Sequence, residues 1–191
     1  MSTPKILAFA GSIREDSFNK QLAQAAMHSV ENLGGDVTFV DLRDYQMPLY
    51  CGDLHEADGI PGSALAFKEL MKSHNGFLIA SPEYNGSLTG LLKNTLDWAT
   101  IKHDNEESMA CFNGKIAGIM CAAPGIGGSH GLHHLRAVLS RLGTFVLPKH
   151  VNVTNCHDHL QGNNSIEDST LQHQLDDLTS ELVRVVSSLH I

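Results

Sequence analysis

Hydrophobic residues in this chain come in two rhythms that alternate from end to end. Ile6-Leu7-Ala8-Phe9-Ala10 is a short, bounded apolar run, the signature of a strand buried on both faces. After Gly11 and a small polar loop the rhythm changes: Leu22, Ala26 and Val30 recur at steps of four, with Leu33 three further on, which predicts an amphipathic helix opening after Ser17. Gly34-Gly35 supplies its stop. Val37, Phe39 and Val40 predict a second strand, Gly76 to Ala80 a third, and Ile116 to Cys121 a fourth. Thr144 to Leu147 begins a fifth, with Val151 and Val153 continuing or re-entering it beyond Pro148. Helices are predicted between these strands. One opens near Pro61 and runs through Leu65, Leu70 and Met71; another spans about Gly90 to Ala99; a third carries Leu132, Leu135, Leu139 and Leu142 on one face. The last helix has the clearest stripe, Leu171, Leu175, Leu178, Leu182, Val185 and Leu189, and Ser165 with Asp168 resembles a capping box before it. Arg43 to Gly59 reads as a long connection, functional or covering an interface, and Lys102 to Asn113 as a polar surface excursion.

Strand and helix thus alternate five times. With short, right-handed crossovers this predicts an α/β fold, a doubly wound five-stranded parallel sheet in the flavodoxin-like order 2-1-3-4-5. Residues 1–191 fit one domain. In that order the loops after strands one, three and four lie at carboxyl ends of neighbouring strands and converge on one crevice.

Those loops carry the candidate chemistry. The turn from Gly11 to Asn19 faces a helix N-terminus, where backbone N–H groups lack partners and the dipole is positive. Ser12, Ser17 and Asn19 add neutral donors and Arg14 a charged fork, a set suited to a phosphate dianion. Neither G-x-G-x-x-G nor G-x-x-x-x-G-K-[ST] occurs. Ser81-Pro82-Glu83-Tyr84-Asn85-Gly86-Ser87 offers irregular backbone polar groups beside a flat ring, suited to the edge and face of a heterocycle. Ala122 to Ser129 is rich in small residues, which allow close approach of backbone to a ligand.

Composition narrows the partners. Hydrophobic residues make up 42% and charged residues 18%, with a formal net charge of -8, which argues against nucleic acid and anionic membrane surfaces. Cys51, Cys111, Cys121 and Cys156 are too scattered for a disulfide framework or a zinc site, and Cys51 and Cys121 read as structural thiols. His130, His133, His134 and the Cys156-His157-Asp158-His159 run read as solvated histidines, so no metal is expected. No signal peptide or long apolar run appears, and the cytoplasm is the expected location.

The segments Gly11-Ser12-Ile13-Arg14-Glu15-Asp16-Ser17-Phe18-Asn19 and Ser81 to Ser87 together resemble the NADPH-dependent FMN reductase family of flavodoxin-like oxidoreductases. Lys93-Asn94, Asp97-Trp98, Gly127-Gly128 and Leu135-Arg136 fit as well, so the similarity runs from about Lys5 to Pro148. The resemblance implies bound FMN. Ser12, Arg14, Ser17 and Asn19 would hold its phosphate, with Phe18 beside them; Pro82, Glu83, Tyr84 and Asn85 would line the isoalloxazine; the loop from Ala122 to Gly125 would close the other side. Two departures are visible. Similar members often carry serine near Ala122, and a tyrosine where this chain has His133. The resemblance further implies ping-pong hydride transfer at the flavin N5, from NADPH or NADH to a flavin, quinone, azo or similar small acceptor, with no catalytic side chain. Glu83 shapes its loop in this reading. A homodimer or homotetramer is implied, with the Arg43 to Gly59 segment and the Trp98 helix as candidate contacts. The alternative is a flavodoxin-type FMN electron carrier without nicotinamide-dependent activity.

Overall fold

The computed structural model describes residues 3–160 and 166–189. The strands β1 (Lys5–Ala10), β2 (Asp36–Val40), β3 (Gly76–Ala80), β6 (Ile116–Ala122) and β7 (Phe145–Val146) form a parallel sheet in the order β2-β1-β3-β6-β7. A short antiparallel pair, β4 (Glu83–Tyr84) and β5 (Ser87–Leu88), stands apart from it. The expected fifth strand is split. β7 pairs with Ile116 and Ala117, and β8 (Val151–Val153) re-enters beside Met120, Cys121 and Ala122. Pro148 lies in the break, where it can donate nothing to a ladder. The Arg136 guanidinium compensates, donating to the carbonyls of Val146 (3.2 Å), Leu147 (2.6 Å) and Pro148 (3.2 Å).

Helices cover both faces. Alternate residues of β1 separate cleanly: Ile6, Ala8 and Ala10 pack against α1 (Phe18–Asn32) and α6 (Ser169–Leu189). Leu7 and Phe9 pack against α3 (Gly62–Ser73), α4 (Gly90–Thr100) and α5 (Ser129–Arg141). β1, β3 and β6 are buried along nearly their whole length, which is why they read as unbroken apolar runs rather than as alternations. α1 closes at the expected glycines, where Gly34 N donates to Glu31 O and Gly35 N to Val30 O.

Four details differ from expectation. On α6 it is Val186, not Val185, that is fully buried, and Leu189 is exposed, because a 3.6-residue turn drifts off a strict four-three stripe. Asp168 acts as the N-cap itself, its Oδ1 accepting from Thr170 N (2.8 Å) and Leu171 N (3.0 Å); Ser165 lies outside the described residues. The segment from Lys102 to Asn113 is more than a surface excursion. It buries Cys111 and Phe112, and its Glu106 pairs with Lys68 (2.9 Å) and Lys72 (2.8 Å) of α3. Trp98 is fully buried within the chain. Its indole N–H donates to Pro48 O (2.8 Å), as does Asn94 Nδ2 (2.9 Å), so the connection carrying the short helix α2 (Gly52–Asp58) is strapped onto α4. Trp98 is therefore spent on an internal contact and offers no ring to a second copy.

Register places the functional loops. Ala10 pairs with Ala80, and Ala80 with Met120, so β1 and β3 end at one level, β6 runs two residues further to Ala122, and their following loops rise at the same edge of the sheet.

Candidate functional site

The first loop is pressed against the start of α4. Gly11 N extends the ladder to Ala80 O (2.8 Å), and the Thr89 hydroxyl, which also caps α4, donates to Gly11 O (2.8 Å). A β-carbon at Gly11 would lie 3.0 Å from Leu92 Cβ and 3.2 Å from Thr89 Oγ1, so glycine permits this approach. Beyond it, Ser17 is the N-cap of α1 in extended conformation, yet its hydroxyl makes no capping bond. The first N–H groups of α1, on Phe18 and Asn19, therefore face outward without a side-chain acceptor. Ser12 Oγ accepts from Arg14 N (3.3 Å). The Arg14 guanidinium donates to Asp16 O (2.5 Å) and stands 5.7 Å from the centre of the Phe18 ring. Among the described residues no carboxylate pairs with Arg14.

Two braces hold this loop in place. Arg43 donates to Ile13 O through Nε (3.3 Å) and Nη2 (2.9 Å). Asp41 at the end of β2 accepts from Arg43 N (2.9 Å) and pairs with Lys20 Nζ (2.5 Å) on the first turn of α1. On the other flank the buried Asn19 side chain donates from Nδ2 to Ala122 O (2.8 Å) and accepts at Oδ1 from Ala122 N (2.9 Å). The helix start and the end of β6 are thereby locked together.

The second loop is a hairpin. Asn85 (φ 53°) and Gly86 (φ 77°) form the two-residue turn between β4 and β5, both with the positive φ that such turns demand. Alternation along β4 then sends neighbouring side chains opposite ways. Tyr84 is exposed on the cleft side. Glu83 points away, its Oε2 accepting from Gly128 N (3.0 Å) and Gly131 N (2.8 Å), where a carboxylate neutralises the N-terminal end of α5. Its side chain shapes the loops, as the sequence suggests.

The third loop is pinned to the turn after β8. Ala123 O accepts from Cys156 N (3.0 Å) and Gly125 O from Asn155 N (3.1 Å). That turn carries His157, whose ring meets Phe18 edge-on with centroids 4.6 Å apart.

Together these elements enclose a cleft of about 210 Å³. Ser12, Arg14, Ser17, Phe18 and Asn19 line one wall; Pro82 and Tyr84, then Ala122 and Pro124, then His157 complete it. A second hollow of about 360 Å³ shares Ser12, Arg14 and Tyr84 and extends over Ile13, Thr89 and Leu91. Three expected residues are not in the cleft wall: Glu83, turned toward α5; Asn85, at the exposed hairpin tip; and Gly125, with Pro124 in its place. Pro124 belongs to the loop from Ala122 to Gly125 that the resemblance assigns to the site, but His157 and the brace from Arg43 were missed. Only the fold brings these two to the site, and their local sequence carries no signal of it.

The chemistry of the lining is one-sided. Hydroxyls, outward N–H groups, a guanidinium and an imidazole meet there, and among the described residues no carboxylate lines the cleft although the chain carries a net charge of -8. That donor set fits a phosphate dianion at the α1 end. The thiols nearby are not nucleophiles. Burial, with the Glu83 charge adding to it, pushes Cys121 up to about 12, and burial also raises Cys156. Among the described residues no group of three or more His, Cys, Asp or Glu is placed to hold a metal ion.

The family model for NADPH-dependent FMN reductase matches residues 4–158. A 2-hydroxy-1,4-benzoquinone reductase from a Burkholderia species is 40% identical over 139 residues, covering 72% of this chain and 71% of that protein. A probable NADPH:quinone oxidoreductase from Oryza sativa subsp. japonica is 36% identical over 136 residues, 70% of this chain, and the match spans 63% of its length. Among solved structures, the flavoenzyme NAD(P)H:(acceptor) oxidoreductase from Paracoccus denitrificans superposes with a TM-score of 0.80 at 25% identity, covering 97% of this chain and 98% of that one. A flavodoxin from the domain Archaea superposes at 0.65 with 11% identity, covering 96% and 99% of the two chains, which reflects the shared fold alone. With the match running from the first strand through the turn that bears His157, the chain belongs to the NADPH-dependent FMN reductase family.

Proposed function

We propose that this cleft binds FMN and that the chain is an NAD(P)H-dependent reductase of quinones, flavins, azo compounds or similar small acceptors. The observation that carries the reading is the cleft at the α1 N-terminus, where Ser12, Ser17, Arg14 and the first N–H groups of the helix converge and no carboxylate is found among the described lining residues.

Each residue then has a part. Ser12, Ser17, Arg14 and the N–H groups of Phe18 and Asn19 hold the phosphate. The Asn19 side chain, with both its polar atoms on Ala122, fixes the phosphate loop against β6. Ala122 has no N–H left to donate to the cofactor, since Asn19 takes it, and offers its methyl group instead. Pro82 and Tyr84 bound the ring on one side and Pro124 on the other, while Glu83 shapes the loops around them. Bound flavin supplies the hydride and electron chemistry itself. The protein orients the reactants, and Tyr84 and Ile13, both partly exposed, offer apolar surface to an incoming nicotinamide or acceptor.

Further parts of the proposal concern setting. The chain forms a homodimer or homotetramer, supported by the exposed Leu49 and by an apolar hollow between α4 and α5 lined by Ala137, Val138 and Leu142. The whole chain acts as one domain in the cytoplasm, with neither nucleic acid nor membrane as partner. Among the described residues no helix is long and apolar enough to cross a membrane. The test is steady-state oxidation of NADPH and NADH by the purified FMN-loaded protein with a benzoquinone as acceptor. Turnover with parallel double-reciprocal lines is expected. A protein that binds FMN yet oxidises neither nucleotide is the flavodoxin-type carrier instead.

A further inference from the structure

The run Cys156-His157-Asp158-His159 places two histidines in different settings. His159 faces Asp168, with Nδ1 to Oδ2 at 3.8 Å. His157 lines the cleft. Among the described residues no hydrogen bond occupies either nitrogen of the His157 ring. Its exposed ring is nevertheless held in place. The turn that bears it is fastened to the third loop by the Cys156 N to Ala123 O and Asn155 N to Gly125 O bonds. The ring itself stands edge-on to Phe18, at an interplanar angle of 81°. Phe18 is also the ring that Arg14 overlies, and its backbone N–H is among the outward donors of α1. Arg14 and His157 thus attend the same end of the cleft from two separate parts of the chain, around one aromatic spacer.

We infer that His157 is a ligand of the cofactor's phosphate-bearing end, its imidazole N–H adding a donor from the turn after β8 to those of the β1–α1 loop. This rests on the FMN reading above. An imidazole keeps at least one N–H, and with neither ring nitrogen otherwise bonded among the described residues the tautomer that places it on the nitrogen facing the phosphate is accessible. Its geometric consequence is that the phosphate is gripped from both sides of the sheet's switch point, by the loop after β1 and by the turn after the last strand.

The test is equilibrium binding of FMN and of riboflavin, which lacks the phosphate, read by quenching of flavin fluorescence with the apoprotein. Three chains are compared: the parent, His157→Ala and His157→Phe, the last of which keeps a ring against Phe18 but has no N–H. Both variants are expected to weaken FMN binding by about tenfold, as for loss of a hydrogen bond to a charged group. Riboflavin affinity is expected to move by less than about threefold, below the effect of one such bond. Unchanged FMN affinity in both variants overturns the inference. So does equal weakening of FMN and riboflavin, or retention of FMN affinity by His157→Phe, since each assigns the ring to packing. A parent protein that binds neither flavin overturns the FMN reading itself, and this inference with it.

Discussion

Asn19 and Ala122 are bonded to each other twice, side-chain amide to backbone amide, at 2.8 and 2.9 Å across 103 positions of sequence. The pair joins the start of α1, directly after the loop that carries Arg14, to the end of the strand that leads into the third loop. Both groups on Ala122 are buried, so Asn19→Ala leaves a donor and an acceptor unmatched. The expected cost is about 2–4 kcal/mol in total. It is read as a lower urea midpoint with an unchanged slope. A variant as stable as the parent shows that the clamp contributes nothing.

Among the described residues Arg14 is the one guanidinium or ammonium group in the cleft wall. Arg14→Ala is expected to weaken FMN binding about ten- to a hundredfold, the effect of one charge-assisted hydrogen bond. Riboflavin affinity should hardly change. Equal losses for the two flavins place Arg14 on the ring rather than the phosphate.

Arg43 grips only the Ile13 carbonyl, so its influence on the cofactor is through loop position. Arg43→Ala is expected to speed FMN dissociation by about threefold to tenfold, on the scale of one ordinary hydrogen bond. Stopped-flow fluorescence measures this, and an unchanged off-rate removes the brace from the account.

How much of this was legible beforehand varies with how local the cause is. β1, β3 and β6 announce themselves because strands buried on both faces must be apolar throughout. Ser12, Arg14 and Ser17 could be picked out because strand, turn and helix follow one another directly in sequence. The segment 81–87 is legible as an irregular loop facing a ligand, but its β4–β5 pairing is not, since strands of two residues carry no hydrophobic run to read. His157 and Arg43 were not readable, since nothing in their neighbourhoods encodes the distant loop each one meets. Asn19 was assigned to the phosphate by its place in the motif, but the fold aims its amide at Ala122, which leaves its backbone N–H for that task. The burial of Phe112, at the end of a largely polar stretch, and the strapping of Pro48 onto the buried Trp98 show only in the fold, since each depends on a contact distant in sequence.

Away from the cleft, Glu106 joins Lys68 and Lys72 beneath the sheet. Burial alone raises its carboxyl, but hydrogen bonds from Lys72, Lys68 and the His103 backbone outweigh that and bring it down to about 2. A carboxyl lowered on folding stabilises the protein above its unfolded value near 4.3 and loses that contribution as pH falls toward 2. The urea midpoint of the parent should therefore fall more steeply between about pH 4.5 and 2 than that of Glu106→Gln. Parallel profiles contradict the assignment.

The thiols divide by access. Cys51 is exposed and its pKa is lowered by hydrogen bonds from the Leu54 and Asp53 backbone, whereas Cys111, Cys121 and Cys156 are buried and raised. A thiol reagent at neutral pH is expected to label one cysteine quickly in the native protein, and none quickly in Cys51→Ser. Rapid labelling of Cys121 shows that the packing of α5 on β6 opens.

The central claim, that the cleft at the α1 N-terminus is a flavin nucleotide site, is tested most directly by titrating the apoprotein with FMN and following the visible absorption bands. Saturation at about one FMN per chain, with Kd at or below about 1 μM and a clearly weaker Kd for riboflavin, is the predicted result. Bands that neither shift nor saturate up to about a hundred-fold that concentration contradict it.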